Sequence, residues 1–220
     1  MSLERKHFFW GSLSPLGGLV GAGLLVMASA RLSWAITVAG SLFWVYGLSE
    51  LSFAFLSSGA VKKFFPASGR KILYTCLASF WGSLYLLMFW LLCPFAVFEV
   101  FMPLLLVPLF CAGTANTRQT EPSSENHYFD IFDYVSEAVS QAVVLAGLLI
   151  AFSIIREPLS YCSLSFPGTY QGMVTIMYFK TGSFFPIGIF ASSSGALLLL
   201  GYFTCLYQYS KNIFSSGDRK

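Results

Sequence analysis

Long uncharged runs of apolar residues, separated by short charged breaks, organise this sequence. No acidic or basic side chain occurs between His7 and Arg31, and from Leu32 to Val61 the only one is Glu50. The stretches Ile72 to Phe98, Val100 to Gly113, Ala138 to Ile155 and Ile187 to Tyr207 carry none. A bilayer core about 30 Å thick needs about 20 apolar residues in helical conformation, because lipid satisfies no backbone polar group. The pattern therefore predicts an all-α, polytopic membrane protein with six transmembrane helices, over about 8–30, 32–57, 72–92, 95–113, 138–155 and 187–207. The first run is too long and too glycine-rich, with Gly17, Gly18, Gly21 and Gly23, to read as a cleaved signal peptide.

The breaks between runs differ in character. Lys62, Lys63, Arg70 and Lys71 form a basic connection around Pro66. Residues 114–137 gather Arg118, Glu121, Glu125, Asp130, Asp133 and Glu137, and are expected to form a polar cytoplasmic loop. Residues 156–186 open with Arg156, Glu157 and Pro158 and are then interrupted by Pro167, Gly168 and Gly172. Their apolar part is long enough for a helix, but prolines and glycines break it, so an irregular outer segment, interfacial or re-entrant, is expected.

Basic residues orient the chain. With six spans, ten Lys and Arg fall on the side of the termini (residues 5, 6, 62, 63, 70, 71, 118, 211, 219 and 220) and three on the other (Arg31, Arg156 and Lys180). The positive-inside rule then places both termini in the cytoplasm, and the cell inner (plasma) membrane is the expected location. A seventh span would carry the C-terminal charges across and weaken the asymmetry.

Composition agrees with this reading and excludes others. The 220 residues are 56% hydrophobic and 10% charged, against about 25% charged in ordinary globular chains. The net charge of +3 is scattered, without the basic stripe that nucleic-acid binding requires. The cysteines at 76, 93, 111, 162 and 205 form no CxxC or Cys/His cluster, and His7 and His127 stand far apart, so no metal-ligand set is expected.

An acid within hydrocarbon costs several kcal/mol unless paired or hydrated, roughly 3 kcal/mol on insertion scales. Glu50 and Glu99 are thus the first candidates for an ion or proton path, although each could instead be interfacial. Arg156 with Glu157 reads as an anchor at the end of the fifth span. Ser12 to Gly23 and Pro103 to Gly113 combine proline with small residues at equivalent positions of the two halves. That is the mark of two inverted three-helix repeats, with candidate broken helices in spans 1 and 4, though close helix packing leaves the same composition.

Several short motifs in shared order resemble one family. Ser12, Leu13, Ser14, Pro15 and Leu16 stand where it has Gly-Leu-Cys-Pro-Leu, and Pro66, Ala67 and Arg70 match Pro-Ala-x-x-Arg. Phe101, Pro103, Leu104 and Gly113 match Phe-x-Pro-Leu and a later Gly, Arg156, Glu157 and Leu164 match Arg-Glu followed by Leu, and Gly195 and Ala196 match a Gly-Ala. The family is that of the six-helix membrane subunits of the Rnf and Nqr electron-transport complexes, of the RnfE/NqrD type, and the resemblance runs over most of the chain.

It implies a pair of related subunits in opposite orientations, each supplying one cysteine per half to a [2Fe-2S] cluster in the membrane. Here Ser14 and Leu109 occupy the two cysteine positions, and Cys111 is two residues on, roughly 200° around a helix. Thiolate holds iron in such clusters, so the expectation is no cofactor and no cluster in the family manner. The implied function is a non-redox or degenerate subunit of an ion-translocating electron-transport complex, with the lipid bilayer and other membrane subunits as partners. The alternative is a free-standing transporter or membrane-interaction protein on the same scaffold. No nucleophile and base pair, phosphate loop or ligand spacing suggests an enzyme acting alone.

Overall fold

The structure, a computed structural model, describes residues 15–58, 67–118, 129–168, 173–178 and 187–217. Six helices follow in order: α1 (Pro15–Ala28), α2 (Leu32–Ser58), α3 (Ala67–Leu92), α4 (Pro94–Arg118), α5 (Phe129–Tyr161) and α6 (Ser193–Gly217). Between α5 and α6 lie two antiparallel strands, β1 (Ser163–Pro167) and β2 (Met173–Tyr178), and a 3-10 turn, Gly188–Ala191.

Four stretches are long and apolar enough to cross a membrane: Leu32–Phe53, Ile72–Leu92, Pro94–Gly113 and Val139–Tyr161. The apolar part of α6 is shorter, Ser193–Leu206, and α1 has 14 residues, about 21 Å of helix.

Around an apolar core, the burial pattern departs from that of a water-soluble protein. Ser29, Ser33, Thr37, Ser41, Ser49, Ser153 and Ser160 are buried, while Phe55, Leu91, Phe95, Phe98, Met102 and Tyr202 are among the most exposed side chains. Small hydroxyl residues inside allow helices to approach closely, and large apolar residues outside suit lipid. This is the surface of a helical membrane protein.

The central element is α2, which packs on α5, α3, α4 and β1. Its Thr37 carbonyl accepts from the Tyr85 hydroxyl of α3 at 3.0 Å, and its Thr37 hydroxyl donates back to the Ser33 carbonyl at 2.8 Å. α1 packs on α4, where Gly21 leaves room for the Phe110 ring, since a Cβ there would lie 2.8 Å from that ring. α6 is peripheral and touches the 3-10 turn, α1 and, through Phe203, the Phe152 ring of α5 at 5.9 Å.

Several expectations need correction. Span 4 is not broken: α4 continues through Pro103 and Pro108. Each proline removes one intrahelical bond, to the carbonyls of Glu99 and Leu104, without ending the helix. Pro108 rests against Gly82 of α3, where a Cβ would come within 2.5 Å of the proline ring.

The fifth span does not stop at Ile155, because α5 runs to Tyr161 through Arg156, Glu157 and Pro158. The polar stretch 114–137 is helical at both ends, with α4 reaching Arg118 and α5 starting at Phe129; residues 119–128 lie outside the described ones. The outer segment 156–186 contains the end of α5 and a hairpin, with Leu164 paired to Met177 and Phe166 to Val174.

The last helix starts at Ser193, not near Ile187. Ser192 has extended backbone and its hydroxyl accepts from the Gly195 N–H at 3.3 Å, the geometry of an N-cap. Gly195 is required there, since a Cβ would lie 2.0 Å from the Ile189 carbonyl oxygen.

Candidate functional site

Polar side chains collect at two levels of the bundle, one at each end of the apolar part of α2. At the Leu32 end, the buried pair Arg156 and Glu157 joins three separate segments. The Arg156 guanidinium donates to the Val26 carbonyl at 2.7 Å and the Ser29 hydroxyl at 2.9 Å, both at the end of α1. It also donates to the carbonyls of Phe190 at 2.8 Å and of Ala191 and Ser192 at 3.1 Å. A guanidinium has five N–H donors, and these contacts engage them all. Val26 is free to accept because Ala30 N–H bonds the Met27 carbonyl instead, at 3.4 Å.

The neighbouring Glu157 Oε2 accepts from the Leu32 N–H at 2.8 Å, the first amide of α2. The two charges therefore meet two helix ends of opposite polarity. The cation faces terminal carbonyls of α1 and the anion faces the N-terminus of α2, the arrangement a helix dipole favours. Around them, the Ser33 and Ser165 hydroxyls lie 3.2 Å apart, joining α2 to β1, and the Ser160 hydroxyl donates to the Arg156 carbonyl. Arg31 sits over the Tyr161 ring, 5.2 Å from its centroid. Cys162 ends α5 in the left-handed region at φ 51°.

This clamp is a structural device. Expected at the edge of the membrane as an anchor, Arg156 and Glu157 are instead each 1% exposed, and every donor of the arginine is used for backbone and hydroxyl oxygens.

The opposite level holds Glu50, 8% exposed. Tyr74 of α3 donates to Glu50 Oε1 at 3.0 Å. The Ser49 hydroxyl reaches the Tyr46 carbonyl at 3.2 Å and the Tyr74 phenol oxygen at 3.4 Å. Cys111 of α4 is wholly buried and, with Tyr46, lies within electrostatic range of Tyr74. The Tyr74 bond joins α2 to α3 at this carboxyl. Trp81 Nε1, further along α3, donates to the Ser52 hydroxyl at 3.0 Å.

Neither a family model, nor a curated protein, nor a solved structure matches the chain.

Of the residues singled out in the sequence, Glu50 bonds Tyr74 and Cys111 is buried in α4, while Glu99 is exposed near the start of α4. Leu109 is 52% exposed on the outer side of α4, whereas Cys111 points into the bundle. Ser14, His7 and His127 lie outside the described residues. The five cysteines are free thiols, and among the described residues no group of three His, Cys, Asp or Glu could hold a metal ion.

Tyr74, Ser49 and Ser29 were not foreseen. The signal for Tyr74 is slight, a tyrosine near the start of a run whose other aromatic residues spread evenly. Ser33, Thr37 and Ser41, at four-residue intervals on α2, carried a clearer one.

Between α3 and α4, the outer face has a shallow cleft of about 280 Å³ lined by Ser79, Gly82, Ser83, Phe101, Pro108 and Leu109 among others. Its floor is the close Gly82–Pro108 contact. α3 buries the smallest share of its apolar stretch of the four long spans.

Proposed function

We propose that this chain is a membrane subunit of an Rnf/Nqr-type ion-translocating electron-transport complex in which the cluster-holding positions have been replaced, so that it scaffolds partner subunits and shapes an ion path without carrying electrons. The observation that carries this reading is the position of Leu109. In the resembled family this position would present a thiol to a cluster shared with a second subunit. Here it lies exposed on α4, beside the cleft and beside the sparsely covered α3, on a face suited to another membrane chain.

The packing of α1 on α4 adds support. These are the two helices with proline and small residues in equivalent places, which two inverted three-helix repeats would bring together. In this reading all six helices cross the inner (plasma) membrane, α1 and α6 as short members, and both termini lie in the cytoplasm. The alternative, a free-standing transporter, draws on the buried Glu50–Tyr74 pair, because an intramembrane carboxyl is the kind of group independent ion transport needs.

Mild-detergent purification from the native membrane, followed by mass spectrometry, separates the two. Co-purification with flavin-bearing or iron-sulfur subunits is expected, and a stable isolated homo-oligomer would favour the transporter. Iron and labile sulfide are expected to be missing from the isolated polypeptide; a persistent [2Fe-2S] absorbance would overturn the replacement of the cluster ligands.

A further inference from the structure

The hairpin between α5 and α6 turns its polar side chains inward. Ser165 of β1 is buried, and its hydroxyl lies 3.2 Å from that of Ser33 on α2. Its cross-strand partner is Thr175, so the face toward the bundle carries hydroxyls at its centre. Alternate residues of a strand point to opposite faces. The pairs Leu164 with Met177 and Phe166 with Val174 therefore form the face turned away, where Phe166, Val174 and Met177 are exposed. Ile176, the extra residue at the irregularity in the ladder, is exposed as well, and so is Tyr178 at the end of β2.

A sheet with one face on water normally shows that face polar residues, and this one shows Phe, Val and Met. The surface it continues is already apolar. Ile154, Ile155 and Tyr161 of α5, the helix on which β1 packs, are exposed, as is Phe98 near the α3–α4 connection at the same end of the bundle. Between Glu157 and Lys211 the sequence has one charge, Lys180, two residues beyond β2, and no acid. Tyr161 and Tyr178 stand close together, because Tyr178 pairs with Ser163 just past the end of α5. Tyrosine and lysine flanking an apolar surface are the residues that hold a segment at the level of lipid headgroups.

The backbone limits the depth. Among the described residues the sheet has two strands, so the far edge of β2 presents N–H and C=O groups with no strand beside them. Hydrocarbon cannot satisfy such groups, whereas water and headgroups can.

We propose that the β1–β2 hairpin is a membrane-interface anchor, lying along the leaflet at the Leu32 end of α2. Phe166, Val174, Ile176 and Met177 rest among the upper acyl chains, and the free edge of β2 lies at headgroup level. Since Ser165 ties β1 to α2 and α5 leads directly into β1, the anchor fixes the depth of the Arg156–Glu157 level in the bilayer. The inference goes beyond the function proposed above and holds whichever proteins surround the chain.

The test places the photoreactive residue p-benzoylphenylalanine at position 166 of the full chain, where it keeps an aromatic ring, and separately at 176, so that one misfolded variant does not end the experiment. The same residue at position 98 on α4 serves for comparison. Each chain is irradiated in its native membrane and again in vesicles of phosphatidylethanolamine and phosphatidylglycerol, and mass spectrometry identifies what the probe has joined. Lipid adducts at 166 and 176 are expected in both settings, in the yield seen at 98. Adducts to protein in place of lipid in the native membrane would overturn the proposal and give this face to another chain or a second copy. No adduct at 166 or 176, with lipid attached at 98, would mean that the face meets water and would equally overturn it.

Hydrogen exchange in the same vesicles reads the depth. Alternate N–H groups of β2 point away from β1, so about half of its amides are expected to exchange fast. Protection of all of them, or of none, overturns the placement of a paired hairpin at the interface. A chain that purifies without partner subunits but still gives the lipid adducts counts against the complex alone.

Discussion

The guanidinium of Arg156 meets the carbonyl of Val26 at 2.7 Å across 130 residues of sequence, and the same group binds the carbonyls that precede α6. One side chain on α5 thus ties the first helix to the last. Its adjacent acid, Glu157, caps the helix between them in sequence, α2. Buried opposite charges here each face a helix end of the other sign, which explains how both can be covered so completely.

Replacing Arg156 should be the most damaging single change at this level. Arg156→Leu removes the donor from five backbone and hydroxyl oxygens, of which the Ser192 carbonyl keeps a second one, the Ala196 N–H, and it removes a buried charge beside Glu157, so a loss of about 3–5 kcal/mol is expected. Arg156→Lys keeps the charge but offers three donors from a single nitrogen, which cannot span both α1 and the 3-10 turn; about 2 kcal/mol is expected. Unfolding of the detergent-solubilised protein measures both, and equal stability of the lysine variant and the parent would refute the clamp.

Glu157 gives a finer test of the same idea. Glu157→Gln retains an oxygen for the Leu32 amide and loses only the charge at the helix N-terminus, at a cost of about 1 kcal/mol. Glu157→Ala loses the acceptor too and should cost about 2 kcal/mol. If the two variants unfold alike, the hydrogen bond to Leu32 contributes nothing.

The apolar runs revealed the helices because lipid imposes length and composition locally, and α2 begins at Leu32, right after the charge that marks its limit. The same rule failed at Arg156. A charge ordinarily marks the limit of a span, but this one is neutralised by oxygens 34 and 130 residues away, and no local pattern exposes such partners. Glu50 stood out as a lone acid, whereas Tyr74, 24 residues on, is an ordinary aromatic residue until folding places it against the carboxyl. The hairpin was visible as a break in helical composition, but its pairing depends on β1 lying against α2 and α5.

Glycine substitutions should separate close packing from mere composition. Gly195→Ala would set a methyl 2.0 Å from the backbone oxygen of Ile189, which cannot move without disturbing the turn that Arg156 holds, so a loss of about 2–3 kcal/mol is expected. Gly201, further along the same helix, has nothing near its Cβ position, and Gly201→Ala should stabilise by up to about 1 kcal/mol. Thermal unfolding of the two variants, in one detergent, should move in opposite directions.

The outward side of α3 offers a test of lipid exposure. Phe80 is 59% exposed near the middle of the stretch Ile72–Leu92. Phe80→Arg should impair membrane insertion by about 2.5–3.5 kcal/mol, read as the fraction of glycosylation-tagged chains that integrate. A face turned to water would tolerate the change with no loss.

Not all of that face need meet lipid, and Ser83 discriminates lipid from protein. It is exposed in the α3–α4 cleft, and its hydroxyl is satisfied by the Ser79 carbonyl of its own helix at 2.9 Å. Ser83→Trp should therefore leave the isolated chain as stable as before while filling the hollow over the Gly82–Pro108 contact. If a partner helix seats there, as the exposed Leu109 nearby favours, co-purified subunits should fall at least about tenfold, equivalent to roughly 1.4 kcal/mol of lost association. Undiminished recovery of partners with the tryptophan in place would mean that the cleft faces lipid and that assembly uses another surface, of which the outer side of α6, with Leu197, Tyr202 and Leu206 exposed, is the next to examine.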